Sequence, residues 1–209
     1  MFKRILWWVI LLSDNAFMKI KVACVGDSIT QGVGTILAKS YPKQLGIFLG
    51  SEFEVGNFGI SGATMLRGGD KPYSQQLEYQ GMLAMKADIY VVMLGTNDTK
   101  PHNWSQKKEF KPSALALLEA IINANPASKI FLCLPIPAFP ANFEITDEVI
   151  RTEVIPLLRE VAEEKHLEII DLYSVLEGKG KFVPDKVHPN AAGYKLISKA
   201  VAGAILRRR

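Results

Sequence analysis

The segment IKVACVGDSIT, residues 20–30, places a glycine, an acid and hydroxyl residues directly after a short apolar run. An apolar run with β-branched members predicts a buried strand, and the polar residues after it predict a loop. Four further runs of this kind follow along the chain, at residues 53–58, 88–94, 129–134 and 167–171. The sequence therefore predicts five strands that are buried in one sheet.

Longer segments with apolar residues at helical spacing separate these runs. They cover residues 41–49, 74–86, 112–125, 147–165 and 191–206. Ser40 and Asn190 are suited to cap the first and the last helix, and Pro156 predicts a kink in the fourth. Strands that alternate with helices are typical of a parallel sheet covered on both faces. We therefore predict an α/β fold, a three-layer α/β/α sandwich around a doubly wound, five-stranded parallel sheet.

The net charge of +4 comes from the two ends of the 209-residue chain. Lys3, Arg4 and the arginines at 207–209 carry the excess, and residues 18–206 contain equal numbers of basic and acidic residues. A nucleic-acid-binding domain is expected to be basic, so we predict no nucleic-acid partner. Because no repeat, linker or low-complexity stretch divides residues 18–209, we predict that they form a single domain.

Residues 1–17 begin with two cations and continue with the apolar run 5–12. A membrane-spanning helix takes roughly 20 apolar residues, so this run predicts no stable membrane span. The pattern resembles a secretory signal, but no Ala-x-Ala cleavage site follows it. The segment is therefore either a degenerate signal or anchor, or a leader upstream of a start at Met18. The first alternative predicts a secreted or periplasmic protein, and the second a cytoplasmic one.

Polar clusters follow the predicted strands at positions that a parallel sheet brings to one edge. They are Gly26-Asp27-Ser28, residues 57–62, Gly95-Thr96-Asn97-Asp98 and, before the last helix, residues 185–188. In open α/β sheets, ligands bind beyond the carboxyl ends of the strands. We therefore expect these four loops to form one site.

Three residues of these loops have the chemistry of a catalytic triad. A serine hydroxyl becomes nucleophilic when a base removes its proton, and a third group must fix the tautomer of that base. Ser28 is the candidate nucleophile, His188 is the candidate base, and Asp185 is the candidate orienting acid. The Asp-x-x-His spacing allows one short turn to hold the last two together. Asp171, at the end of the fifth strand, is the rival acid.

Acyl transfer also requires hydrogen-bond donors for the oxyanion that develops on the substrate. The candidates are the backbone N–H groups of Ser28 and Gly59 and the side-chain amide of Asn97. A glycine at position 59 lets the backbone approach the substrate without a Cβ in the way. The three histidines of the chain lack clustered carboxylates or thiolates, so we predict no metal site.

The blocks Gly26-Asp27-Ser28, Gly59, Gly95-x-Asn97-Asp98 and Asp185-x-x-His188 stand in the order found in the SGNH, or GDSL, hydrolases, and the chain resembles that family from residue 20 to 206. The resemblance implies a flavodoxin-like fold and a carboxylic ester hydrolase that uses a Ser-His-Asp triad without a metal or cofactor. It assigns Ser28, Gly59, Asn97 and His188 to the positions that name the family, and Asp185 completes the triad.

Residues 69–73 (GDKPY) and 95–104 (GTNDTKPHNW) are similar to bacterial carbohydrate acetylesterases of that family, including acetylxylan and sialate O-acetyl esterases. This similarity implies hydrolysis of short acyl esters, most of all acetyl groups on carbohydrates, with a small-molecule or polysaccharide ester as the substrate. The alternatives are a lipase- or thioesterase-type acylhydrolase and an acyltransferase that uses the same triad.

Three further residues in the predicted loops are candidates for binding substrate. Tyr73 and Trp104 carry aromatic faces on which a sugar ring can stack, and the alternative for both is ordinary packing within the loops. His102 follows the third strand and has no acid at a workable spacing in the sequence. We therefore expect His102 to contact the substrate and not to act as a general base.

Overall fold

The computed structural model describes residues 18–139 and 143–207. In these residues, the chain forms a parallel sheet of five strands, and every predicted strand is confirmed to within one residue at each boundary. The strands are β1 (Ile20–Gly26), β2 (Phe53–Gly59), β3 (Ile89–Met93), β4 (Lys129–Leu134) and β5 (Glu168–Asp171). Their order in the sheet is β2-β1-β3-β4-β5, which is the flavodoxin-like order. The predicted fold class is therefore confirmed.

The register of the strands brings their carboxyl ends into line. Gly26, the last residue of β1, pairs with Gly59 of β2 on one side and with Met93 of β3 on the other. The chain reverses its direction of winding between β1 and β3, and such a switch point is where open α/β sheets bind ligands. The loops that carry Ser28 and Asn97 leave the sheet on the two sides of this point.

Nine α-helices lie among the described residues. They are α1 (Ser28–Gln31), α2 (Tyr41–Leu49), α3 (Leu77–Met85), α4 (Pro101–Trp104), α5 (Phe110–Ala124), α6 (Asp147–Val149), α7 (Ile155–Glu164), α8 (Leu172–Leu176) and α9 (Ala191–Leu206). Short 3₁₀ turns cover Leu37–Lys39, Tyr73–Gln75, Asn97–Thr99, Lys107–Glu109 and Gly180–Phe182. None of the helices in the described part of the chain is long and apolar enough to cross a membrane.

Two apolar cores cover the two faces of the sheet because successive strand residues point to opposite sides. Val25 and Val92 belong to the core beneath α3, α5 and α7. Cys24 and Val91 belong to the core beneath α2, α8 and α9. Both cores are fully buried at these positions, which explains why the strands are nearly continuous apolar runs in the sequence.

The two predicted helix caps have different outcomes. Asn190 caps α9, since its Oδ1 accepts the N–H groups of Ala192 at 3.1 Å and Gly193 at 3.0 Å. Ser40 precedes α2, but its hydroxyl donates to the carbonyl of Leu37 at 2.9 Å and makes no cap bond. An N-cap side chain accepts from the second or third helical N–H. Pro42 occupies the second position and has no N–H to give.

The predicted helix over residues 147–165 is continuous but changes its hydrogen-bond pattern in the middle. Its central part, Ile150–Val154, is a π-helix that joins α6 to α7. Pro156 lies in the first turn of α7. Because proline lacks an N–H and its ring crowds the preceding turn, the helix widens just before it. The predicted disturbance at Pro156 therefore takes the form of a π-bulge.

Candidate active site

Ser28 stands at the start of α1, immediately after β1. Asp27 caps this short helix, with its Oδ1 accepting the N–H of Ile29 at 2.9 Å. Asp27 is fully buried and Ser28 is 7% exposed. The side chain of Ser28 is therefore fixed at the carboxyl edge of the sheet with only its tip open to solvent.

The structure brings Ser28, His188 and Asp185 together in a hydrogen-bonded chain. The Ser28 Oγ lies 2.9 Å from His188 Nε2, and His188 Nδ1 lies 2.7 Å from Asp185 Oδ2. Because a carboxylate can only accept, the Nδ1 proton points to Asp185 and leaves Nε2 free to accept the Ser28 proton. This geometry is what a nucleophile, a base and an orienting acid require.

Asp185 is held by its own loop as well as by the histidine. Its Oδ1 accepts the backbone N–H groups of Val187 at 3.0 Å and His188 at 2.6 Å. Burial raises the pKa of this carboxyl, but the hydrogen bonds from the His188 N–H, the His188 ring and the Val187 N–H outweigh it and leave the pKa below its ordinary value. Asp185 is consequently a stable anion next to the imidazole.

The rival acid, Asp171, is engaged elsewhere. Its Oδ1 caps α8 by accepting the N–H of Ser174 at 3.0 Å, and its Oδ2 lies 3.3 Å from Arg159 Nη2. The local Asp-x-x-His turn therefore supplies the partner of His188, and the strand-end aspartate stabilises a helix.

Asn97 follows β3 and faces the same edge as Ser28. Its side-chain amide donates one hydrogen to the carbonyl of Ala63 at 3.1 Å, and an amide nitrogen carries a second hydrogen. Its neighbour Asp98 is fully buried and accepts the N–H groups of Met65 at 2.9 Å and Leu66 at 2.7 Å. Asp98 thus fixes the loop after β3 to the loop after β2.

The structure changes the interpretation of Gly59. Its N–H donates to Asn57 Oδ1 at 3.0 Å, and the residue is not among those that line the cavity at Ser28. A Cβ at position 59 would lie 2.2 Å from the backbone nitrogen of Gln31. The absent side chain therefore makes room for α1 and not for a substrate, contrary to the prediction.

Gly62, three residues later, occupies the position that Gly59 was expected to hold. It lines the cavity with Ser28 and Asn97, and its φ of +80° is one that glycine adopts readily. Among the described residues, its N–H has no protein acceptor. The sequence contains a signal for this residue, because Gly62 and Gly59 lie in the same loop, but spacing alone does not distinguish them.

The cavity beside Ser28 and His188 measures about 210 Å³. Its walls include Val33, Ser61, Gly62, Asn97, Lys100, Phe143 and Ile145. Phe143 is 52% exposed, and its ring stands edge to face with the His188 ring at 5.6 Å between centroids. Lys100 and Phe143 were not among the site residues predicted from the sequence. The sequence does contain a signal for Lys100 as a site residue, because Lys100 lies three residues after Asn97 in the same loop.

The two aromatic residues, Tyr73 and Trp104, are buried, which contradicts the sugar platform and agrees with the alternative of packing within the loops. Tyr73 is 2% exposed, and its hydroxyl donates to the carbonyl of Phe58 at 2.7 Å. Trp104 is 8% exposed and packs edge to face on Phe110. A side chain that is covered by its own protein cannot offer a ring face to a ligand.

His102 is exposed and does not line the cavity, and its surroundings differ from the prediction. Its Nε2 lies 3.1 Å from Asp70 Oδ2, and its Nδ1 lies 4.0 Å from Glu144 Oε2. The sequence does not reveal these acids because they come from other loops. Since His188 already contacts Ser28, His102 has the position of a rim residue. No group of three or more potential metal ligands occurs within residues 18–139 and 143–207.

The buried carboxyl of Asp27 should make the stability of the protein depend on pH. Burial, to which the charge of Asp98 adds, raises the pKa of Asp27 from 3.8 to about 7, despite the hydrogen bond from the Ile29 N–H. Between pH 3.8 and about 7, the folded protein therefore keeps the proton of Asp27, whereas the unfolded chain has lost it. The stability that Asp27 contributes is present below about pH 4 and is lost as the pH rises through about 7.

Urea unfolding of the protein and of the Asp27→Asn variant, from about pH 5 to about pH 8, tests this expectation. Asparagine keeps the Oδ1 acceptor for the Ile29 N–H but has no proton to lose. We expect the free energy of unfolding of the protein, relative to that of the variant, to fall as the pH rises. A difference that stays constant or grows with pH would contradict the assignment.

Comparison with known proteins places this geometry in context. Residues 24–196 match the family model described as the GDSL-like lipase/acylhydrolase family. An acetylxylan esterase of Xylanibacter ruminicola is 41% identical over 206 residues; the match covers 89% of this chain and 43% of that protein. The chain thus spans less than half the length of that relative.

Solved structures share the fold at lower sequence identity. A carbohydrate acetylesterase from Sinorhizobium meliloti superposes with a TM-score of 0.76 at 20% identity, covering 90% of this chain and 99% of the other. An aryl esterase from M. smegmatis superposes with a TM-score of 0.72 at 21% identity, covering 88% and 97% of the two chains. At these identities, the likeness bears on the fold alone.

Proposed function

The chain belongs to the GDSL-like lipase/acylhydrolase family, a family of carboxylic ester hydrolases, and on that basis we propose that it is a serine esterase that removes acetyl groups from carbohydrate hydroxyls. The observation that carries the proposal is the hydrogen-bonded chain from Ser28 through His188 to Asp185. The relationship to an acetylxylan esterase supports the choice of acetyl and of carbohydrate.

In the proposed reaction, Ser28 Oγ attacks the ester carbonyl while His188 Nε2 takes its proton. Asp185 keeps the imidazole in the required tautomer and stabilises the imidazolium. The tetrahedral intermediate then collapses, the C–O bond to the sugar breaks, and His188 returns the proton to the leaving hydroxyl. A water molecule, deprotonated by His188, attacks the acyl-enzyme in the same way and releases acetate and the free serine.

We assign stabilisation of the oxyanion to three donors from three loops. They are the backbone N–H of Ser28, the backbone N–H of Gly62 and the second hydrogen of the Asn97 amide. The lining of the cavity supports Gly62 in place of Gly59. Each such donor typically contributes about 2.7–4 kcal/mol of transition-state stabilisation.

The size of the cavity supports a short acyl group. At about 210 Å³ it is below the range of roughly 300–1,000 Å³ that drug-sized ligands occupy. Val33, Phe143 and Ile145 line it with apolar surface suited to a methyl group. A long acyl chain would have to leave the cavity and lie against the exposed loops.

A series of p-nitrophenyl esters tests the acyl preference. We expect kcat/KM to be highest for the acetate and at least about tenfold lower for the octanoate, because an acyl chain that does not fit loses transition-state binding. Acetate release from acetylated xylan then tests the alcohol, with the Ser28→Ala variant as the blank. A preference for octanoate would overturn the acetylesterase proposal in favour of a lipase or thioesterase, and transfer of acetyl to an added alcohol in preference to hydrolysis would indicate an acyltransferase.

A further inference from the structure

Three charged or titratable side chains form a cluster that extends outward from Lys100 in the cavity wall; we call Asp70, Lys100 and His102 the rim cluster. Asp70 Oδ2 lies 3.3 Å from Lys100 Nζ and 3.1 Å from His102 Nε2. Lys100 also lines the cavity beside Ser28 and Asn97. The cluster connects residues 69–73 (GDKPY) with residues 95–104 (GTNDTKPHNW). In these two segments, Asn97 is the only residue that has a role in the proposed reaction.

Asn103 fixes the rim cluster with respect to the reacting centre. Its Nδ2 donates to Asp70 Oδ1 at 2.9 Å and to the backbone carbonyl of Asn97 at 3.0 Å, and its Oδ1 accepts the N–H of Asp70 at 2.8 Å. Asn103 is 1% exposed. A buried amide that uses both donors and its acceptor in this way holds the cluster at a constant distance from the candidate oxyanion site.

The rim cluster retains hydrogen-bonding capacity that faces solvent. An ammonium group has three donors, and Lys100 uses one of them, on Asp70, within the part of the chain that the structure describes. Because the Asp70 carboxylate only accepts, the His102 ring donates to it from Nε2, while the His102 Nδ1 lies 4.0 Å from Glu144 Oε2. Asp70 Oδ1 accepts from Asn103 alone among the described side chains and has a second lone pair.

Donors and acceptors this close together match a pair of neighbouring hydroxyl groups. Each hydroxyl both donates and accepts, so one can accept from Lys100 while donating to Asp70 Oδ1, and the other can accept the remaining donor of Lys100. Phe143, which lines the same cavity and is 52% exposed, offers an apolar surface. Sugar rings have polar edges and apolar C–H faces. The alkyl or aryl part of other esters has no groups that could form hydrogen bonds with the rim cluster.

We propose that the rim cluster is a carbohydrate subsite that binds the free hydroxyl groups next to the acetylated carbon of the sugar. This inference rests on the proposed function and specifies how the leaving sugar is held. Binding energy from such groups, which do not react, positions the ester at Ser28 and raises kcat/KM for sugar esters over simple esters. The alcohol preference of the enzyme therefore resides in Lys100 and Asp70.

The Lys100→Met variant tests this proposal, because methionine keeps an unbranched apolar chain and removes the ammonium. We measure kcat/KM for an acetylated xylooligosaccharide and for p-nitrophenyl acetate, and take the ratio of the two. We expect the ratio to fall by about tenfold or more, as loss of a charge-assisted hydrogen bond predicts, with KM for the sugar ester rising. Lys111→Met is the matched control, since Lys111 pairs with Glu160 and Glu164 on α7, away from the cavity.

A second variant and the unaltered enzyme separate the possible results. Asp70→Asn keeps an oxygen for Asn103 and should lower the same ratio. If either variant lowers both activities equally, the cluster only supports Asn97, and the subsite proposal is wrong; an unchanged ratio also overturns it. If the unaltered enzyme hydrolyses p-nitrophenyl acetate but no acetylated sugar, the proposal of a carbohydrate substrate is wrong. The subsite proposal, which depends on it, is then wrong as well.

Discussion

Replacing Ser28 by alanine is expected to lower kcat/KM for p-nitrophenyl acetate by a factor on the order of 10⁴ or more. The Oγ that lies 2.9 Å from His188 Nε2 is then missing, so no acyl-enzyme forms. Some catalysis over water should remain, because the oxyanion donors are still in place. Initial rates at substrate concentrations well below KM, together with circular dichroism to show an intact fold, measure the effect.

Ser174→Ala is the matched control for this experiment. Ser174 is an exposed serine on α8 whose backbone, and not its hydroxyl, bonds to Asp171. A fluorophosphonate should label the unaltered protein and the control but not Ser28→Ala. Retention of more than about 1% of the activity by Ser28→Ala would exclude Ser28 as the nucleophile.

The Asp185→Asn variant should lose activity by a comparable factor, on the order of 10⁴. Its Oδ1 can still accept the N–H groups of Val187 and His188, so the turn should keep its shape. The amide that replaces Oδ2 donates to His188 Nδ1 and drives the ring proton to Nε2. A protonated Nε2 cannot accept the proton of Ser28, so the imidazole is in the right place with the wrong tautomer.

Asp171→Asn provides the comparison for this second prediction. Asp171 also lies near the end of a strand but caps α8, so its replacement should change the free energy of unfolding more than it changes kcat. Thermal unfolding and p-nitrophenyl acetate hydrolysis are measured for both variants. A larger loss of activity in Asp171→Asn than in Asp185→Asn would reverse the two assignments.

The strands and the contact between Asp185 and His188 could be predicted because their signals are local. Each strand is a short, nearly continuous apolar run, because a strand that is buried on both faces needs apolar side chains on both sides. Asp185 and His188 lie on one turn, so their spacing in sequence is also their spacing in space. The order of the sheet followed from the resemblance to a known family and from the preference for right-handed crossovers.

The errors concern contacts that only the tertiary structure creates. Tyr73 and Trp104 lie in loops, which favours exposure, but these loops fold back on β2 and α5 and bury both rings. Gly59 and Gly62 are chemically identical in the sequence, and the bond from the Gly59 N–H to Asn57 distinguishes them.

The surroundings of His102 are an error of the same kind. Its acid, Asp70, is 32 residues away in the chain, so no local spacing rule could have found it. Phe143 likewise contacts His188 from a position 45 residues earlier in the chain, and nothing in its local sequence marks it as a site residue.

The contact between Ser28 and His188 joins residues 160 positions apart, and this has a consequence during biosynthesis. A protein emerges from the ribosome with its N-terminal part first. The strand and turn that present Ser28 are therefore exposed long before the turn of Asp185 and His188 has been translated. A nascent or truncated chain that ends before residue 185 carries Ser28 without His188, so under the proposed mechanism incomplete copies would have no hydrolytic activity.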